Sequence, residues 1–269
     1  MFVVIVVTVC IIPLLAVETS GSCSPCYCSG TIVFCGSRQP KLTEIPEGLP
    51  TTATKLYLGS NNIASLNMTR LETFTALTFL DVNHNRLTDF DLSESQLLRL
   101  EKLHLYGNAE LCTVNIHSSS LSKISLSNTA VTCLSRQNFQ TPNLHEFLMG
   151  FSSLKIMDIA HLTKLSTLYF PRSPLSAIYF DYTALQANLP SMSPPDSIDC
   201  TCCMVEFLRL FGQVWRCQQY NRGTGDVQGI DCVNFDVSSC VGNANVCPSE
   251  YFFEIILLVI KDRPHAVLI

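Results

Sequence analysis

Fourteen cysteines lie in this chain of 269 residues. Such usage points to an oxidising compartment and a disulfide framework rather than to free thiols. No two C-x-x-C pairs stand at zinc-finger spacing, so no metal is expected. Cys202-Cys203 raises redox chemistry, but a C-x-C-C run reads more simply as structural. The chain has no G-x-S-x-G elbow, H-E-x-x-H, P-loop or GxGxxG. No enzymatic activity and no cofactor are therefore expected. The sequon Asn67-Met68-Thr69 is a glycosylation acceptor in a secreted chain. Charged residues make up only 14% and the net charge is −5, with no basic stripe of the kind nucleic acid requires.

These groups must be positioned by a repeat that runs from Lys55 to about Ile178. Its unit is apolar-x-x-apolar-x-apolar. The middle position holds Leu56, Leu80, Leu103, Ile124, Phe147 and Leu168, at intervals of 24, 23, 21, 23 and 21 residues. Two residues on come Leu58, Val82, Leu105, Leu126, Met149 and Phe170. Five on come Asn61, Asn85, Asn108, Thr129, Ser152 and Ser173. Seven on come Ile63, Leu87, Val131, Leu154 and Leu175; the third unit reaches Leu111 one residue late, after an insertion near Ala109–Glu110. Each unit offers one short strand with alternating side chains. One unit cannot bury its apolar positions, but stacked units build a continuous core. Neighbouring strands would then lie about 4.8 Å apart in a parallel sheet. Length alone would fit one or two domains; the repeat favours one elongated body.

The first three units, LYLGSNNI, LDVNHNRL and LHLYGNAEL, resemble the leucine-rich repeat. The resemblance implies an α/β repeat solenoid over residues 54–189. This is a horseshoe of about six units with short parallel strands on the concave face, a mostly irregular convex side and disulfide-capped ends. It also implies that the Asn side chain lies inside the turn and hydrogen-bonds the backbone of its own and the neighbouring coil. Thr129, Ser152 and Ser173 keep only a hydroxyl for that work. A buried N–H left without a partner costs roughly 1–3 kcal/mol, so looser coils are expected from Thr129 onward. Apolar triplets at Met157–Ile159 and Ile178–Phe180 fall half a repeat out of phase. They read as short strands on the far side of the coil or as a shift in register.

Residues 22–53 carry Cys23-x2-Cys26-x-Cys28-x6-Cys35 and then LTEIPEGLP, which resembles the N-terminal cap of extracellular leucine-rich-repeat proteins. The resemblance implies a small hairpin with two disulfides, Cys23 with Cys28 or Cys26 with Cys35 or a permutation. The need for a cap is independent of family, because the first unit would otherwise expose its apolar face and an unpaired strand edge. PSMSPPDS at 190–197 ends the repeats. Residues 190–248 resemble a C-terminal cap: Cys200, Cys202 and Cys203 precede Met204, Phe207, Leu208, Phe211 and Trp215, one face of an amphipathic helix. The resemblance suggests that Cys200 and Cys202 bridge to Cys232 and Cys240. The doubled Cys202-Cys203 and the added Cys217 and Cys247 depart from the family pattern. Cys112 and Cys133 each sit nine residues past the middle of their strands, in adjacent coils, a match that shifts by one when the insertion near Ala109–Glu110 is corrected for. Equivalent Cα atoms there would be near 5 Å apart, within disulfide reach. A bridge is expected, with two buried thiols as the alternative.

Residues 1–21 read as a secretory leader, an apolar run at 2–17 without a basic start. An uncleaved anchor is the alternative, but the run is short of the roughly 18 residues that suggest a span. Removing the leader takes Cys10 from the fourteen cysteines and leaves an odd number, which favours a disulfide-linked oligomer. Residues 249–269 form an apolar tail of unknown role, too short in its YFFEIILLVI run to cross a bilayer.

Side chains between the inward leucines face the strand side. Tyr57, Phe79, Asp81, Lys102, His104 and Tyr106 form the candidate ligand-binding patch there, since aromatic residues dominate recognition hot spots. His84 and His104 share this face with Asp81. That grouping could hold a metal or pass a proton, but surface histidines are common and the recognition reading is simpler. The expectation is an extracellular module, secreted or at the cell surface. It would bind a protein or glycan ligand through its concave face, in immune recognition or adhesion. A structural matrix component and a truncated receptor ectodomain are the alternatives.

Overall fold

A computed structural model describes residues 23–173, 175, 177–180, 190–193, 216–220 and 227–231. The expected leader, the cap cysteines Cys200, Cys202, Cys232 and Cys240, the expected cap helix and the tail lie outside the described residues.

The chain winds into stacked coils that share one nine-stranded sheet. Tyr27–Ser29 and Ile32–Phe34 form an antiparallel hairpin at one end. The second of these strands then pairs in parallel with Lys55–Tyr57, followed by Phe79–Asp81, Lys102–His104, Lys123–Ser125, Glu146–Leu148, Thr167–Tyr169 and Ser191–Ser193. Every strand is three residues long because only the middle one must face inward. Val33, Leu56, Leu80, Leu103, Ile124, Phe147 and Leu168 are direct cross-strand partners, and each is fully buried. They form a single apolar spine. Leu58, Val82, Leu105, Leu126, Met149 and Phe170 are buried beside it.

The coils are locked by the residue five past each spine position. Asn85 donates through Nδ2 to the Val82 and Asn83 carbonyls of its own coil and to Leu58 of the previous one, and its Oδ1 accepts from the Ile63 N–H. Asn61 and Asn108 repeat the pattern with Leu58 and Cys35, and with Leu105 and Val82. Thr129 keeps only the bond within its coil, to the Leu126 carbonyl at 2.8 Å. Ser173 reaches back to the Met149 carbonyl at 2.9 Å and to Ser152 Oγ at 3.0 Å. The hydroxyls therefore retain part of the Asn network and lose its bridging amide.

Two features complete the picture of the coil. The far side of the coil is not irregular throughout: Asp89–Asp91, Thr113–His117 and Phe139–Gln140 form one three-stranded sheet, and Cys133–Leu134, Ile156–Asp158 and Ala177–Tyr179 form another. The out-of-phase triplets are these far-side strands. Helix is sparse, with one four-residue helix, Met68–Leu71, among the described residues.

Cys23 is bonded to Cys28 and Cys26 to Cys35, with Cα separations of 6.0 and 4.5 Å. The expected Cys112–Cys133 bridge is not formed. Both thiols are free and exposed, which also removes the buried-thiol alternative. The reason lies in the insertion near Ala109. Leu111–Val114 and Val131–Leu134 share the pattern buried, exposed, exposed, buried. Cys112 fills the first exposed place and Cys133 the second, so they are not register partners.

Candidate functional site

The outward positions of the strands build a run of rings that begins in the N-terminal hairpin. Tyr27 stacks on Phe34 with centroids 6.1 Å apart, and Phe34 stacks on Tyr57 at 5.0 Å, 13° from parallel. Tyr57 meets Phe79 at 4.9 Å, and Phe79 meets His104 edge to face at 5.0 Å. His104 contacts Tyr106 at 6.1 Å, and Tyr106 receives His84 edge to face at 5.2 Å. Centroid spacings near 5 Å follow from the strand spacing of about 4.8 Å. Only the first two contacts are stacked; Tyr57 and Phe79 are tilted by 43°, and the Phe79–His104 and His84–Tyr106 pairs meet edge to face, so the rings pack as one continuous row rather than as a parallel stack.

Of the six candidate residues, Tyr57, Phe79, His104 and Tyr106 belong to this run, and Lys102 is exposed beside it. Asp81 does not present itself to a ligand: it is buried, and its carboxylate accepts from the Asn83 N–H at 3.0 Å and from Asn83 Nδ2 at 2.9 Å. Asn83 Nδ2 also donates to Tyr106 Oη at 2.8 Å. Asp81 is thus a brace beneath Tyr106. It shares the face because strand alternation puts it outward, but it is buried between the Tyr57 and His104 positions.

Besides His84, three contributors are not in the sequence patch. Tyr27 and Phe34 lie in the cap rather than in a repeat, although the alternation in YCSGTIVF places both on the same side as Tyr57. Asn83 brings the carboxylate and the phenol together. A Cβ on Gly59 would lie 2.4 Å from Asn83 Oδ1, so glycine at that position makes room for the brace.

The residues just past the strands do not extend the flat face. Ser60, His84, Gly107, Asn128, Phe151 and Arg172 all adopt positive φ and turn the chain at the end of the sheet. Left-handed backbone is costly for a bulky residue. It is held here by the ladder: His84 N–H donates to the Tyr106 carbonyl at 2.9 Å and Phe151 N–H to that of Pro171 at 2.7 Å. Gly107 makes room for His84, whose Nδ1 would lie 2.5 Å from a Cβ there.

The electrostatics follow from burial. Burial pushes the Asp81 carboxyl above its ordinary value, against the pull of the Asn83 N–H and of His104 and His84. Burial pushes His104 down, against the Asp81 charge, and its Nε2 is buried without a hydrogen-bond partner. Burial and the Asp81 charge together raise the Tyr106 phenol. Lys123 forms an ion pair with Glu146 on the same face. Among the described residues, no group of three His, Cys, Asp or Glu side chains is placed to hold a metal, and no helix is long and apolar enough to cross a membrane.

Stacked parallel strands, a bridging Asn ladder and a disulfide-bonded hairpin define a leucine-rich-repeat solenoid. In its fold and its sequence the chain resembles leucine-rich-repeat proteins that are secreted or at the cell surface. No protein-family model matches it. It is similar to rat osteomodulin, 28% identical over 174 residues that span 57% of this chain and 40% of that one. Human podocan-like protein 1 is 33% identical over 125 residues, 45% of this chain and 24% of that protein. Mouse lumican is 25% identical over 162 residues, 60% and 40% of the two chains. The matches to osteomodulin and lumican thus span about two fifths of those relatives. The crystal structure of human 5T4, trophoblast glycoprotein, covers 83% of this chain and 98% of its own at 17% identity, with a TM-score of 0.48.

Proposed function

We propose that this chain is a preformed recognition module that holds a macromolecular ligand, protein or glycan, on the N-terminal half of its concave sheet and performs no chemistry. The observation that carries this reading is the run of rings from Tyr27 to Tyr106. It crosses five neighbouring strands and is fixed by backbone pairing before any ligand arrives. Rings fixed in this way lose little conformational entropy on binding, and aromatic anchors are the residues that dominate binding energy. The test is recovery of partners from extracellular matrix extract on the immobilised secreted chain, against the Tyr57→Ala/Tyr106→Ala variant of unchanged circular dichroism. Loss of a specific partner with the variant is expected; equal recovery overturns the reading.

A second reading, a matrix component that assembles through disulfides, is favoured by the exposed free thiols of Cys112 and Cys133. Non-reducing electrophoresis of the secreted chain tests it, with a linked dimer lost on Cys112→Ser/Cys133→Ser as the supporting result.

A further inference from the structure

The rings of the ladder supply contact area, and the charges around them narrow what it can hold. The charged side chains beside the rings have the same sign. Lys55, Phe79 and Lys102 are consecutive cross-strand partners in one outward column. Lys55 and Lys102 are exposed, and among the described residues neither has a carboxylate in ion-pair range. The next residue in the column, Lys123, is already paired with Glu146. Asp81 is buried and braced by Asn83. The solvent side of the ladder thus carries two unneutralised cations on a chain whose net charge is −5.

We infer that the two lysines flanking Phe79 make this face selective for an acidic, extended polypeptide segment of a partner protein. Two strand spacings separate the lysines, about 9.6 Å. At roughly 3.3 Å per residue, an extended chain running across the strands would pass over Phe79 and reach from one ammonium group to the other within about three residues, so carboxylates two to four residues apart can meet both. A densely sulfated glycan fits less well, because Glu146 stands on the same face and two separated cations offer it no continuous track. The inference rests on the reading of the concave sheet as the binding face.

Binding of three fluorescein-labelled probes to the full secreted chain tests it: an alternating Glu-Ala peptide, a Lys-Ala peptide and a sulfated heparin oligosaccharide. The Glu-Ala peptide is expected to bind, and the Lys-Ala peptide is not. Lys55→Glu/Lys102→Glu should weaken the acidic peptide by about tenfold or more and flatten its salt dependence. Lys155→Glu, a single reversal ahead of the far-side strand, should leave its affinity within about twofold, whereas Lys55→Glu or Lys102→Glu alone should each weaken it measurably. No binding of the acidic peptide, or binding indifferent to the double reversal, overturns the inference. Tighter binding of the oligosaccharide with the same sensitivity also overturns it, in favour of a polyanionic glycan. If the acidic peptide fails while Tyr57→Ala/Tyr106→Ala still abolishes partner recovery, the recognition face stands and only its charge preference falls.

Discussion

Asn83 grips Asp81 through two bonds, backbone N–H to Oδ1 at 3.0 Å and side-chain amide to Oδ2 at 2.9 Å, and passes a third to Tyr106 Oη at 2.8 Å. One amide thereby couples a carboxylate on one strand to a ring beyond the next. Asn83→Ala keeps the backbone bond and removes the other two. The buried carboxylate then lacks part of its solvation, and Tyr106 loses its tether. The expected cost is roughly 1–3 kcal/mol of unfolding free energy, read by urea titration at neutral pH. Asn83→Asp should be worse than Ala, since it sets a second carboxylate against the first.

The Asn ladder should be graded in the same way as its hydrogen bonds. Asn85 makes bonds to three carbonyls and one N–H across two coils, whereas Thr129 makes one within its own. Asn85→Ala is expected to cost about 2–4 kcal/mol and Thr129→Ala about 1 kcal/mol. Equal costs in urea unfolding would show that the side chain fills space rather than bridging coils.

The spine and this ladder were legible in the sequence because both obey one period, and the chemical loss from Asn to Thr to Ser is written in residue types. The far-side strands were visible only as misplaced triplets, Met157–Ile159 and Ile178–Phe180. Their pairing depends on how long each coil takes to return, and repeat spacing does not fix that. Cys112 and Cys133 show the limit most sharply. Equal distance from the strand did not mean equal register, because a single extra residue near Ala109 moved one thiol by one place. Asp81 was legible as outward-facing, but its place in the repeat does not say that it would be buried between the Tyr57 and His104 positions and held by Asn83.

Acid should weaken the fold through two histidines. His104 and His161 are both held below their ordinary value of 6.5, first by burial, and both Nδ1 and Nε2 of His161 are buried without partners. A folded state that resists protonation binds fewer protons than the unfolded chain below pH 6.5, so stability is full above that value and is lost as pH falls toward the folded values. Asp81, raised above 3.8, acts with the opposite sign and in a lower window: its contribution falls as pH rises from 3.8 to its folded value. Melting temperature should therefore drop between pH 7.5 and 5.5 in wild type. His161→Phe, which keeps a ring against Phe139, should flatten that drop; an unchanged slope would remove His161 from the account.

Thiol accessibility separates the two classes of cysteine. Cys112 and Cys133 are free and exposed, while Cys23, Cys26, Cys28 and Cys35 are bonded. Burial pushes the Cys133 thiol up, and the thiolate is the reactive form. Iodoacetamide under native conditions should label both Cys112 and Cys133, Cys133 with a clear pH dependence that steepens above neutrality. The four N-terminal cysteines should take label only after reduction. Peptide mapping by mass spectrometry reads each site, and native labelling at Cys26 or Cys35 would contradict the capped hairpin.

Asn67 has two jobs that can be separated, because they use different atoms. As N-cap of the helix Met68–Leu71 it accepts from the Arg70 N–H through Oδ1 at 3.1 Å. A sugar would attach to Nδ2, which has no hydrogen-bond partner among the described residues and belongs to an exposed side chain. The cap and the glycan are therefore compatible, and we expect the secreted protein to carry both. Thr69→Ala destroys the acceptor sequence but spares the cap; Asn67→Gln destroys both. Each variant should lose the mass shift that peptide N-glycosidase removes from wild type. After enzymatic deglycosylation of all samples, only Asn67→Gln should remain less stable, by about 1 kcal/mol. If Thr69→Ala matches that loss, the stability comes from Thr69 itself, whose Oγ1 makes no bond to the cap, and the division of labour at Asn67 is wrong.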